Sequence, residues 1–135
     1  MDPLEDMTQD PPSETQVKKI LVVDDIVYVL RSIARILRDE GYFILSALSG
    51  KEALEKFQKY SPDLITIDQK LPDMSGLQLV DRIYASGGNP RPRIIFISSV
   101  YDRSEIEQIM KHGIDDYLLK PFQKAKLVET VKRLI

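Results

Sequence analysis

Four short stretches place oxygen and nitrogen functions where they could do phosphoryl chemistry. Asp24-Asp25 follows the apolar run ILVV, Asp68 follows LITI, Ser98 closes RIIFIS, and Lys120-Pro121 follows DYLL. Three carboxylates gathered in one crevice repel one another unless a cation is bound. A few carboxylate oxygens, with room left for water and a phosphate oxygen, suit Mg²⁺ better than zinc. Lys120 would add a point charge, Ser98 a hydroxyl donor, and one carboxylate a nucleophile toward phosphorus. The stretch LITIDQKLPDMSG (64–76) is the sharpest case, because a segment fit for burial ends on a charge and is followed by Lys70, Pro72, Asp73 and Gly76. Each residue also has a plain alternative. Asp25 could cap a helix, Ser98 could be a solvated strand end, and Tyr117 an ordinary half-buried aromatic.

The chemistry requires elements that bring these residues together. β-rich runs occur at 19–24 (KILVVD), 42–47 (YFILSA), 63–68 (DLITID), 93–98 (RIIFIS) and 116–119 (DYLL). The first, third and fourth are apolar on both alternating faces, as parallel strands covered by helices on both sides must be. Helical periods lie between them. Ile26, Leu30, Ile33 and Leu37 form one stripe, with Gly41 placed to end that helix. Ser49 is placed to cap a helix burying Ala53, Leu54 and Phe57. A third helix starts near Ser75 and buries Leu77, Val80 and Ile83. The fourth, over 102–112, turns Ile106, Ile109 and Met110 inward and stops at Gly113. The fifth, over 124–135, aligns Leu127, Val128, Val131 and Leu134. The single histidine, His112, is explained by its place at a helix C-terminus. Five strands each followed by a helix predict an α/β fold: a flavodoxin-like, doubly wound, five-stranded parallel sheet of order 2-1-3-4-5 with helices on both faces. The binding crevice then lies at the carboxyl ends of strands one and three, where Asp24, Asp25 and Asp68 sit.

Bulk properties narrow the classes. The 135 residues fit one domain. Residues 1–17 hold Asp2, Glu5, Asp6, Asp10 and Glu14 and no basic residue, which reads as a disordered acidic tail before a domain over 18–135. The overall formal charge of −2 argues against a nucleic-acid surface or a polybasic membrane anchor. Absence of cysteine removes disulfides and thiolate chemistry. No apolar run is long enough to span a bilayer, and the N-terminus lacks the regions of a secretory signal, so a cytoplasmic location is expected. The close at Leu134-Ile135, inside an apolar stripe, hints at excision from a longer chain.

These motifs resemble the receiver domain of two-component response regulators over 18–135. VVDD at 22–25, the Asp-x-x-Leu-Pro-x-Met-x-Gly pattern at 68–76, the strand-terminal Ser98 and DYLLKPF at 116–122 agree in order. The resemblance implies that Asp68 accepts a phosphoryl group from a sensor histidine kinase, a phosphotransfer protein or a small phosphodonor. It implies that Asp24, Asp25, Asp68 and the Lys70 carbonyl hold Mg²⁺, and that Lys120 pairs with a phosphoryl oxygen. Ser98 and Tyr117 would be the switch pair, and Pro121 would follow a cis bond. The output would lie on the fourth helix, fifth strand and fifth helix, with homodimerisation there as one use. It implies a signalling module that is not a turnover enzyme. Two departures stand out: Ser98 replaces the more usual threonine, and Ile26 stands where a polar or acidic residue is common. An aspartyl-nucleophile phosphatase or phosphotransferase is the rival from the enzyme class. The haloacid-dehalogenase type carries a second Asp two residues on, where this chain has Lys70. A pseudo-receiver scaffold is the other rival, and it usually lacks one of the acids or the lysine.

Overall fold

Strand residues of alternating parity enter two separate cores, and this division builds the molecule. The computed structural model describes residues 17–88 and 90–135; the acidic tail, but for Val17, lies outside them. The strands are β1 (Lys19–Val23), β2 (Phe43–Ala47), β3 (Leu64–Ile67), β4 (Arg93–Ser98) and β5 (Asp116–Leu119). They alternate with α1 (Val27–Asp39), α2 (Gly50–Tyr60), α3 (Gly76–Ala85), α4 (Arg103–Lys111) and α5 (Lys124–Leu134). All strand pairs are parallel, in the order β2-β1-β3-β4-β5, as predicted.

On one face, Ile20, Val22, Ile44, Leu64, Ile95, Ile97 and Leu118 meet Leu30, Ile33, Ala34 and Leu37 of α1 and Leu127 and Val131 of α5. On the other, Leu21, Val23, Leu45, Ile65, Ile67 and Phe96 meet α2, α3 and α4. Period-two alternation thus divides β1 between the two layers. Fully burying a Leu or Ile side chain contributes about 1.5–3 kcal/mol, so α1 alone is strongly held.

The helix ends follow local chemistry. The Ser49 hydroxyl accepts the Glu52 N–H at 3.2 Å. Ser75 and Gln78 form a reciprocal capping box. Gly41, at φ 95°, follows α1 in the left-handed region. Three expectations are corrected. Ile26 is 42 % exposed; it is the N-cap residue of α1 and lies off the buried stripe. Leu79 is the leucine of α3 that is fully buried, while Leu77 is only half-buried and packs against the core from its edge. In α4 only Ile109 is buried. Met110 is exposed, because β5 at the sheet edge offers that face little more than Tyr117 and the exposed Leu119.

No helix of the described residues is long and apolar enough to cross a membrane.

Candidate functional site

Parallel strands end together, so the residue after each carboxyl end is delivered to one rim of the sheet. Val23 pairs in register with Ile67, which places Asp24 beside Asp68. The Asp68 N–H donates to the Val23 carbonyl at 3.2 Å, continuing the ladder one step past β3. Ser98 pairs with Leu119, which puts Lys120 on the same rim. The four sequence-predicted groups therefore converge. Lys120 Nζ lies 2.7 Å from Asp24 Oδ2 and 3.1 Å from Asp68 Oδ2. Asp24, Asp25 and Asp68 each turn a carboxylate oxygen to within 4.8 Å of the others'. Asp24 is 1 % and Asp68 7 % exposed, while Asp25 faces solvent.

Electrostatics follow from one ammonium facing three acids. Burial pushes the Asp24 carboxyl above its usual value, and the Lys120 and Ile26 hydrogen bonds recover only part of that shift. Burial acts to lower the Lys120 ammonium, but hydrogen bonds and charge from Asp24 and Asp68 outweigh it and hold it above the usual lysine range. The site is short of positive charge. Its donors are carboxylate oxygens, one of them solvent-facing. Mg²⁺ takes oxygen ligands at about 2.0–2.1 Å, so two ligands of one ion sit roughly 3–4 Å apart. The three carboxylate oxygens, all within 4.8 Å of one another, form a group able to hold a metal ion.

Asp25 does not cap α1. Instead Asp24 Oδ1 accepts the Ile26 N–H at 2.9 Å, so the buried acid also fixes the start of the helix. The loop after β3 is built to hold Asp68 still. The Gly76 N–H donates to the Gln69 carbonyl at 2.8 Å, and Gln69 Oε1 accepts the Leu77 N–H at 3.1 Å. A Cβ on Gly76 would stand 2.6 Å from the Asp68 carbonyl oxygen, so only glycine fits that close approach. Asp73 was not foreseen as a structural residue. Its two carboxylate oxygens accept the Gly50 and Lys51 N–H groups at 2.8 and 2.9 Å, tying the loop to the N-terminus of α2. Only its acid type next to a turn signalled this; its partners are more than twenty residues away. These bonds, the Gly50 one foremost, hold the Asp73 carboxyl below its usual value.

Ser98 is 1 % exposed at the end of β4. Its Oγ accepts the Val100 N–H at 3.3 Å, and the Tyr117 hydroxyl donates to the Val100 carbonyl at 2.6 Å. One residue thus bridges the two expected switch residues, a link that spacing could not reveal. The Tyr117 ring stacks on core residue Phe96 with centroids 6.2 Å apart. Burial pushes its phenol up, with the Ser98 side chain a smaller opposing influence. Lys120-Pro121 is cis, as expected. The Lys70 side chain is exposed and its backbone is bridged to Ser75. It lines a cleft of about 360 Å³ with Ser99, Val100, Tyr101, Asp102 and Glu105. A larger cleft, of about 400 Å³, opens at the opposite, amino end of the sheet beside Lys18, Asp63 and Arg93. It contains none of Asp24, Asp25, Asp68, Ser98 and Lys120, so cavity size does not locate the chemistry.

Comparison with known proteins agrees with this geometry. The family model described as the response regulator receiver domain matches residues 20–132. A chemotaxis protein CheY from Thermotoga maritima is 30% identical over 118 residues, covering 87% of this chain and 97% of that protein. The structure of the chemotaxis response regulator CheY4 of Vibrio cholerae superposes with a TM-score of 0.83 at 28% identity, over 89% of this chain and 100% of the other. The CheX-CheY-BeF3-Mg+2 complex from Borrelia burgdorferi contains a chain that superposes at 0.80 with 26% identity, covering 86% of this chain and 87% of that one.

Proposed function

The chain belongs to the response regulator receiver domain family, and from that premise we propose that it is a phosphorylation switch whose acceptor is Asp68. The observation that carries this reading is Lys120 Nζ held between Asp24 and Asp68, beside a third acid. Asp68 attacks the phosphorus of a phosphohistidine on a sensor kinase or phosphotransfer protein, or of a small acyl phosphate. An O–P bond forms, the P–N or P–O bond to the donor breaks, and the departing group keeps its electron pair, the imidazole taking a proton. Asp24, Asp25 and Asp68, with the Lys70 carbonyl, would hold Mg²⁺, which supplies charge neutralisation for the phosphoryl oxygens. Lys120 is placed to pair with one of those oxygens.

The product adds close to two negative charges to an acidic pocket. Ser98 exchanges its Val100 partner for a phosphoryl oxygen, which frees Val100 and with it the Tyr117 hydroxyl. The switch is a shift between two states of the β4–α4–β5 region, with α4, β5 and α5 as the output surface. This is a signalling module and not a turnover enzyme. The chain is incubated with acetyl phosphate and Mg²⁺ and its intact mass followed. A single phosphoryl adduct that disappears in Asp68→Asn supports the reading. An unmodified wild type, or an adduct that persists in Asp68→Asn, refutes it. Steady release of phosphate from simple phosphate esters would favour the phosphatase class instead.

A further inference from the structure

α4 is held at its two ends by different means. Its N-terminal end follows Tyr101, which is 80 % exposed, and its middle contributes only Ile109 to the core. Its C-terminal end is tied to α3 by two polar contacts. His112, the C-cap residue, sets Nδ1 3.0 Å from Asp81 Oδ1, and the Tyr84 hydroxyl donates to the Gly113 carbonyl at 3.2 Å. Alongside Ile109, these contacts attach α4, and one partner is the sole histidine of the chain.

We propose that His112 and Asp81 form a proton-dependent clamp, so that the attachment of α4 to α3 tightens as pH falls through the titration of His112. An imidazole with its proton on Nδ1 donates to Asp81 in either charge state. The cation adds an ion pair to that hydrogen bond and meets the negative end of the α4 dipole. Asp81 and the Tyr84 phenol come from α3, and Lys111 precedes the histidine on α4. Arg91, stacked over the Tyr84 ring at 3.3 Å, stands by Gly113 from the loop before β4. Asp115 is already occupied by Arg93 at 3.1 Å and by the Ile94 N–H at 2.8 Å. Lys111 and Arg91 oppose the cation, and Asp81 is the free acid in contact. The His112 side chain is 35 % exposed, so the clamp is modest.

Any effect on phosphorylated signalling would rest on the function proposed above. The clamp itself is tested on the unphosphorylated chain without Mg²⁺, so the two readings fail separately. His112 is titrated by NMR in the wild type, in Asp81→Asn and in Glu107→Gln, a charge-matched control one turn away on α4. Loss of Asp81 should lower the titration midpoint, and the control should leave it in place. Amide exchange of Ile109, Met110 and Lys111, corrected for intrinsic pH dependence, should quicken about threefold as the wild type is deprotonated. In Asp81→Asn and His112→Gln it should be flat. An unchanged midpoint in Asp81→Asn, or α4 protection in the wild type that ignores the titration, overturns the proposal.

Discussion

α1 and α4 flank the same sheet, border the same acidic rim and differ in how they are held. α1 buries Leu30, Ile33, Ala34 and Leu37 between β1 and α5, and its first turn is pinned by Asp24 through the Ile26 N–H. The Lys132–Glu40 ion pair at 2.8 Å ties its far end to α5. α4 buries Ile109 alone and relies on polar ties. Two acids of the site stand on the β1–α1 connection, whereas the expected switch residues flank α4, Ser98 before it and Tyr117 after it on β5. The acids are fixed where packing is dense, and the segment proposed to rearrange is the one whose movement would sacrifice little burial.

The largest test of this contrast is in the cores. Leu37→Ala should cost about 2–5 kcal/mol by urea unfolding, and Ile109→Ala about 2, near the low end of such truncations, because a thinly packed site can collapse. Equal losses would break the contrast. Next is the metal. At a hundredfold excess over its dissociation constant, Mg²⁺ should stabilise the chain by about 2.7 kcal/mol, and Asp24→Asn should abolish the gain. Exchange protection should rise around β1–α1 and the β3–α3 loop. A rise as large in α4 would show that the two regions are not separable. The smallest effect concerns Asp73. Its carboxyl is held below its ordinary value of 3.8 in the fold, so the unfolded chain binds the proton more readily. Its stabilisation is present above that value and lost as pH falls through its lower folded one. Asp73→Asn should cost roughly 1 kcal/mol at pH 7 and flatten that part of the acid limb in thermal unfolding measured from pH 6 downward. An acid limb as steep as in the wild type would leave Asp73 without this role.

Much of the fold was readable because its signals are local. Ile20 and Val22 on one parity and Leu21 and Val23 on the other implied helices on both faces, and the two cores use that division. Ser49 and Ser75 cap the helices they precede, since a cap reaches only three residues ahead. The α4 stripe misled for the opposite reason. Ile106, Ile109 and Met110 have helical spacing, but burial depends on what the neighbouring strand offers, and an edge strand offers little. The alternative that Asp25 caps α1 is not realised: it is Asp24 that accepts the Ile26 N–H, just ahead of the helix.

By itself the amino-acid order determined the alternation of strands and helices, the acids and lysine at strand ends and the glycine after Asp68, since these follow from periodicity, turn chemistry and residue type within a few positions. Tertiary structure alone decided that Lys120 divides itself between Asp24 and Asp68, that Asp73 secures α2, that Val100 joins Ser98 to Tyr117, and that His112 meets Asp81. Each of these pairings depends on which groups the wound sheet brings within hydrogen-bond reach, a distance that separation along the chain does not set.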